Sequence, residues 1–364
     1  MARTGCGGGK ACDVFVGSRE LRFARGRFLL IGAVVALITL LVGFLSGLTG
    51  GLASQNVSAV LDLPGDRLVL AQPDDGDPSF ATSALDDKTI GAWREADGVT
   101  SAVPVGIAPS RASSAGTADP TGVALFGTTR GAPSHDNQLT LSKGAAEDLD
   151  ARTGDTVTIL GSKYEVASVG KDLWYSHTPV ITMTPDAWAR ASTRSGGSGE
   201  PTLLAVTGTP DWDAVSARTG TVAKTPLASL TALDAFKSEI GSLGLMIAML
   251  FGISALVVGA FFTVWTMQRS GDIAVLKALG ATTGSLIRDS LGQALIVLAA
   301  GIAVGLAAVL GLGTLAGQAL PFIISPLTTI APAAVMAVLG LAGAAFALRT
   351  VTTADPLTAL GSNR

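Results

Sequence analysis

Residues 243–267 read LGLMIAMLFGISALVVGAFFTVWTM, 25 positions without a charge. As a helix this run is about 37 Å long at about 1.5 Å per residue, enough to cross a hydrocarbon core about 30 Å thick. Phe28–Leu48, Leu291–Leu312 and Pro332–Leu348 are three further apolar windows of spanning character. The mean hydropathy of +0.49, with 48% hydrophobic and 15% charged residues, therefore averages two different solvents. The expected fold class is a membrane protein with four transmembrane α-helices and a large extracellular α+β domain between helices 1 and 2.

The divisions expected from these windows run in order along the chain. Residues 1–27 form a cytoplasmic N-terminus, with a basic, amphipathic stretch from Val14 that suits an interfacial helix. The first span is 28–48 and the polar domain 49–235. Residues 236–267 form an outer helix that continues into the second span, and a helical pattern from Leu227 through Leu233, Phe236 and Ile240 suggests it begins outside the membrane. A cytoplasmic loop at 268–290, the third span at 291–312, an outer loop at 313–331, the fourth span at 332–348 and a tail at 349–364 complete the chain.

Charge sets the orientation. The N-terminal flank, the 268–290 loop and the tail together hold 11 positive and 5 negative charges, whereas residues 51–238 hold 14 positive and 22 negative. Cationic loops stay on the cytoplasmic side. Both termini and the middle loop are then cytoplasmic, the acidic domain is outside, and the protein is a multi-pass protein of the cell membrane. The first apolar run is too long for a usual signal-peptide core, so an uncleaved anchor is expected even though Gly51-Leu52-Ala53 has the small residues of a cleavage site. Cys6 and Cys12 lie in the Gly-rich lead, which leaves the outer domain without a disulfide.

Within the outer domain, strands are expected at Arg67–Leu70, Ser101–Pro109, Gly122–Gly127, Val180–Met183 and Leu203–Val206. Helices are expected over 82–95, from Thr184-Pro185-Asp186 through Trp188, and near Asp211–Arg218. Small residues recur four apart at Gly43/Gly47 and Gly301/Gly305, with Gly340 and Gly343 in the fourth span, a pattern that lets helices approach closely. In the middle loop, Ser270 and Asp272 suit a helix start and Gly280 its C-terminal stop.

The segment Asp272-Ile273-Ala274-Val275-Leu276-Lys277-Ala278-Leu279-Gly280-Ala281 resembles the coupling segment of MacB/FtsX-type permeases of ABC transporters. Asp355-Pro356 with Ala359-Leu360 is similar to that family's C-terminal signature, and Leu141-Ser142 through Gly154-Asp155-Thr156-Val157 to a helix-then-strand unit of its outer domain. Gly43-Phe44-Leu45-Ser46-Gly47-Leu48, Gly51-Leu52 and Asn56-Val57-Ser58 resemble the HrtB branch, which works in haem efflux in Gram-positive bacteria. The resemblance implies a homodimer served by two copies of a separate ABC ATPase, with Asp272, Ile273, Leu276, Lys277, Leu279 and Gly280 meeting that ATPase. It also implies haem as cargo taken from the membrane, with lipid and no nucleic acid among the other partners.

ATP must be bound by the partner. Gly9-Lys10 lacks the first glycine of a P-loop, which is Thr4 here, and Ala11 stands where Ser or Thr belongs. Neither His135 nor His177 has the spacing of a hydrolytic triad, so no catalytic residue and no intrinsic cofactor is expected. Haem as transported substrate needs an axial ligand and apolar walls. Glu239, a lone carboxylate at the outer membrane edge, is the candidate ligand for the haem iron, with Met246 about two turns and Met249 about three turns further on the same helix. Glu239 paired with Lys237 in headgroup water, and the methionines as ordinary packing, are the alternatives. Tyr175, His177 and Met183 are either an outer haem contact or domain packing. Other cargoes (peptide antibiotics, lipids or lipoproteins) and an FtsX-like mechanical transmitter acting on a cell-wall hydrolase remain open.

Overall fold

The computed structural model describes residues 25–115, 119–268, 271, 275 and 282–352. They belong to two compact units, one of residues 52–242 and the other of the chain on either side. In chain order the elements are α1 (Arg25–Leu61), β1 (Arg67–Ala71), α2 (Asp87–Arg94), β2 (Val99–Ser114), β3 (Thr121–Gly127), β4 (Gln138–Leu141), α3 (Lys143–Asp148), β5 (Thr156–Ile159) and β6 (Ser162–Val169). There follow β7 (Trp174–Tyr175), β8 (Thr178–Met183), α4 (Pro185–Arg194), β9 (Leu203–Gly208), α5 (Trp212–Thr219), β10 (Thr221–Lys224), α6 (Pro226–Ser229), α7 (Asp234–Gln268), α8 (Thr283–Ala316) and α9 (Pro326–Thr352).

α1, α7, α8 and α9 are each long and apolar enough to span a membrane. They outrun the apolar windows because hydropathy marks only the stretch in lipid, while backbone hydrogen bonding continues into water. α1 runs past Leu48 to Leu61 through Ser54, Gln55, Asn56 and Ser58. α9 opens at Pro326, a residue suited to a first helical turn, rather than at Pro332. The helical pattern from Leu227 is not one helix. α6 and a 3₁₀ turn at Leu230–Ala232 precede an extended Leu233, and the continuous helix starts at Asp234.

The glycines of the spans sit at helix contacts. A methyl at Gly301 would meet Val35, one at Gly305 would meet Thr39, and one at Gly43 would meet Val309, so α1 and α8 approach through them. Gly343 faces Gly259 backbone to backbone, joining α9 to α7. Gly47 and Gly51 form a slot for Pro321-Phe322 of the loop before α9, and the Ile323 amide donates to the Gly47 carbonyl at 3.1 Å.

In the α+β domain, β2 is 16 residues long and belongs to two sheets. Its first half completes the antiparallel order β10-β1-β9-β2, with Val103 opposite Ala205. Its second half pairs with β3 and then, at Ala112–Ser114, with β5. With β3–β8, β8–β4, β4–β6 and β6–β5 this closes a six-stranded ring. Closure leaves that sheet without a free edge. One core includes Leu125, Leu139, Leu141, Ile159, Val166, Ile181 and Met183, with α3 and α4 packed on it. Two others lie about the open sheet, one around Trp93 and Leu85, the other around Leu68, Leu70 and Phe126.

Candidate functional site

Three segments of the α+β unit converge on one carboxylate. Glu239 lies in the second turn of α7. Its Oε2 accepts a hydrogen bond from Asn56 Nδ2 at 3.0 Å and lies 2.9 Å from His177 Nε2. Asn56 is in the polar continuation of α1 and is fully buried. His177 is at the tip of the β7–β8 hairpin. The three positions are 121 and 62 residues apart along the chain.

The hairpin tip is a strained device. Its two-residue turn, Ser176-His177, has φ of +46° and +62°. That is the pattern of a type I′ turn, for which Asn-Gly is the favoured sequence, and other L-residues adopt it at a cost. The turn is held from outside. The Ser176 amide donates to the Asn56 carbonyl and the His177 amide to the Gln55 carbonyl, each at 3.1 Å. Ser58 Oγ accepts from the Trp174 amide at 2.9 Å, and Lys171 pairs with Asp62. The last turns of α1 thus form the surface against which the hairpin aims its imidazole.

The carboxylate is asymmetrically used. Oε2 takes both contacts, while Oε1 has no hydrogen-bond partner among the described residues. The Glu239 side chain is 22% exposed, so Oε1 belongs to a group that a ligand can reach. Asn56 Oδ1 is buried without a partner, an unusual orphan acceptor beside the site. Lys237, the alternative partner in the sequence, pairs instead with Asp77 at 3.2 Å.

Other expected contacts separate. Tyr175 is core: its ring packs against Phe126 at 5.6 Å and Phe80 at 6.4 Å. Burial, and then the charge of Asp234, push its phenol well above the ordinary range, so it stays protonated. Met183 is fully buried in the ring core. Met246 and Met249 lie on α7 with side chains exposed. Asp272, Ile273, Leu276, Lys277, Leu279 and Gly280 lie outside the described residues, as do residues 1–24 with the expected interfacial helix.

The linear sequence singles out Glu239 and, separately, His177, but pairs neither with the other nor with Asn56. Asn56 entered only as part of a family resemblance, and nothing in a linear pattern pairs it with a residue 183 positions on. One carboxylate and one imidazole are too few to enclose a bare metal ion, and no group of three or more His, Cys, Asp or Glu suited to one occurs among the described residues. A metal already held by a macrocycle needs only one or two axial donors.

Residues 244–356 match the FtsX-like permease C-terminal family. The chain is 25% identical over 367 aligned positions to a protein of Staphylococcus haemolyticus designated hemin transport system permease protein HrtB, covering 94% of this chain and 98% of that one. A Staphylococcus epidermidis protein of the same designation is 24% identical, covering 95% and 99%. Two solved domains align with less than half of this chain. The periplasmic region of MacB from Actinobacillus actinomycetemcomitans is 10% identical with a TM-score of 0.34, covering 44% of this chain and 88% of that one. The extracellular domain of the ABC-type transporter YknZ from Gram-positive bacteria is 16% identical with a TM-score of 0.31, covering 45% and 92%.

Proposed function

We propose that the chain is a multi-pass permease of the FtsX/MacB type and that it exports haem, with Glu239 as an axial ligand in transit. The observation that carries this is the half-engaged carboxylate. Asn56 and the Nε2–H tautomer of His177 would hold Oε2, leaving Oε1 to meet a ferric iron. Hydrogen bonds from outside the coordination sphere orient a ligand and tune its basicity. The designation of the full-length relatives as hemin transport permeases supports the same cargo.

Met246 and Met249 supply polarisable side chains for the porphyrin face. The exposed side of α7, which also carries Leu245, Ile253 and Leu256, would meet lipid and a second copy of the chain. In that homodimer the termini and the 268–290 loop are cytoplasmic. Two copies of a separate ABC ATPase bind ATP and push on Asp272, Ile273, Leu276, Lys277, Leu279 and Gly280. Movement of the second spans then opens the path outward.

The test is a haem titration of the full chain with its ATPase, read in the Soret band for wild type, Glu239→Ala and His177→Ala. The expected result is a saturable shifted band that Glu239→Ala abolishes and His177→Ala weakens. A saturable band unchanged in Glu239→Ala would move the ligand elsewhere, and no saturable band in lipid or detergent would remove haem as cargo.

A further inference from the structure

A cleft of about 760 Å³ lies on the α+β domain, between the outer face of α4, the start of β6 and the loop at 195–200. Ser162, Tyr164, Arg190, Thr193, Arg194 and Ser198 line it, with no carboxylate among its lining residues. Residues 51–238 as a whole carry 22 acidic against 14 basic side chains. A cationic cleft in an acidic domain concentrates anions locally.

Arg190 is already neutralised, since its Nη2 donates to Asp136 Oδ2 at 2.7 Å. Arg194 is not. It makes no ion pair among the described residues. Its Nη1 donates to Ser162 Oγ and its Nη2 to the Tyr164 hydroxyl at 3.1 Å. Both acceptors are neutral, so the guanidinium is fixed in place while its charge stays uncompensated. Tyr164 is itself buried, with its ring in the ring core.

The hydroxyls follow one pattern. Ser162 and Tyr164 spend a lone pair on Arg194, and Ser198 Oγ spends one on the Glu200 amide at 3.1 Å. Each keeps its O–H to donate. The cleft therefore offers a charged fork and three hydroxyl donors, complementary to a group that is anionic, accepts only, and carries several oxygens. A phosphate fits that description better than a planar carboxylate with two oxygens.

We propose that the cleft formed by Arg194, Tyr164, Ser162 and Ser198 is a binding site for a phosphate group, carried by a soluble phosphoester or by a phospholipid headgroup. The site is separate from Glu239, Asn56 and His177, and its existence does not depend on the cargo.

The test uses the full chain. In phosphate-free maltoside micelles, glycerol 3-phosphate is titrated calorimetrically while hydrogen exchange of residues 189–200 is followed. In a second arm the chain is placed in phosphatidylglycerol nanodiscs without soluble phosphate. Protection in micelles on adding glycerol 3-phosphate supports a soluble source, and protection in nanodiscs alone supports the headgroup. Arg194→Ala is expected to weaken binding at least tenfold. Tyr164→Phe, which keeps the buried ring and removes only the hydroxyl, is expected to weaken it several-fold. Arg152→Ala, an exposed arginine away from the cleft, should leave it unchanged. No saturable binding in either arm, binding untouched by Arg194→Ala, or an equal loss in Arg152→Ala would overturn the proposal.

Discussion

Gly106 and Gly127 are directly opposite each other on β2 and β3, and the Trp188 side chain of α4 lies across both. The ring is 3% exposed and belongs to the ring core. A methyl at either glycine would fall inside van der Waals contact with Trp188, but with different parts of it. At Gly106 the nearest atoms are Cδ2, Cε3 and Cε2 of the ring, whereas at Gly127 they are Cβ and Cγ, with Cδ2 further away at 3.0 Å. To reach ordinary carbon contact of about 3.5–4.0 Å each gap must open by about 1 Å or more. Overpacking of that kind costs about 1–3 kcal/mol. Trp188→Ala alone should cost about 3–5 kcal/mol, the range for emptying a buried indole site. Alanine removes the ring but keeps Cβ. The double variant Gly106→Ala/Trp188→Ala should therefore be about as stable as Trp188→Ala, a coupling of about 1–3 kcal/mol. The double variant Gly127→Ala/Trp188→Ala should retain most of the glycine penalty. Urea titration of the full chain in detergent, with pulsed hydrogen exchange of peptides from 99–127 and 185–194, measures all five variants. Equal relief at both glycines, or a Gly106→Ala cost below about 0.5 kcal/mol, would refute the reasoning.

Asn56→Ala leaves Glu239 with one donor and should lower haem affinity by roughly 10-fold, within the range for outer-sphere partners; unchanged Soret titration would show that Asn56 orients nothing. Ser142 Oγ is buried and accepts from the Ala145 amide at 3.2 Å and the Val180 amide at 3.1 Å, so Ser142→Ala should destabilise the domain by about 1–3 kcal/mol in the same urea assay. At Gly51 a methyl would collide with the Pro321 carbonyl, so Gly51→Ala should displace the loop before α9, seen as faster hydrogen exchange at the Ile323 amide. The Thr184 hydroxyl, and then Arg190, hold the Asp136 carboxyl below its ordinary value. Its folded value lies under the unfolded one, so its contribution is complete above about pH 4 and is lost as pH falls through the folded value. Asp136→Asn should flatten that acid limb in a stability–pH curve.

Periodicity and capping made most local structure legible. Thr184-Pro185-Asp186 does start α4, with Thr184 Oγ1 accepting from the Ala187 amide, and Asp211 caps α5. β7 and β10 are not evident, because β7 has only two residues and the TVAK of β10 shows no apolar–polar alternation. The break at Leu233 escaped for a related reason: an apolar residue at helical spacing says nothing about its own ψ. Glycine spacing in the spans showed that helices would approach closely, but not which ones.

By itself, then, the order of residues determined what responds to solvent alone: four helices long and apolar enough to span a membrane, and an intervening polar α+β domain. These follow from transfer free energies that each segment carries wherever it sits. The tertiary structure decided what depends on distance in space. It closed β2 against β5, gave Arg194 two hydroxyls and no carboxylate, and brought Asn56 and His177 to Glu239. Hydrogen bonds act over about 3 Å and carry no trace in a linear pattern when their partners lie 30 to 183 residues apart.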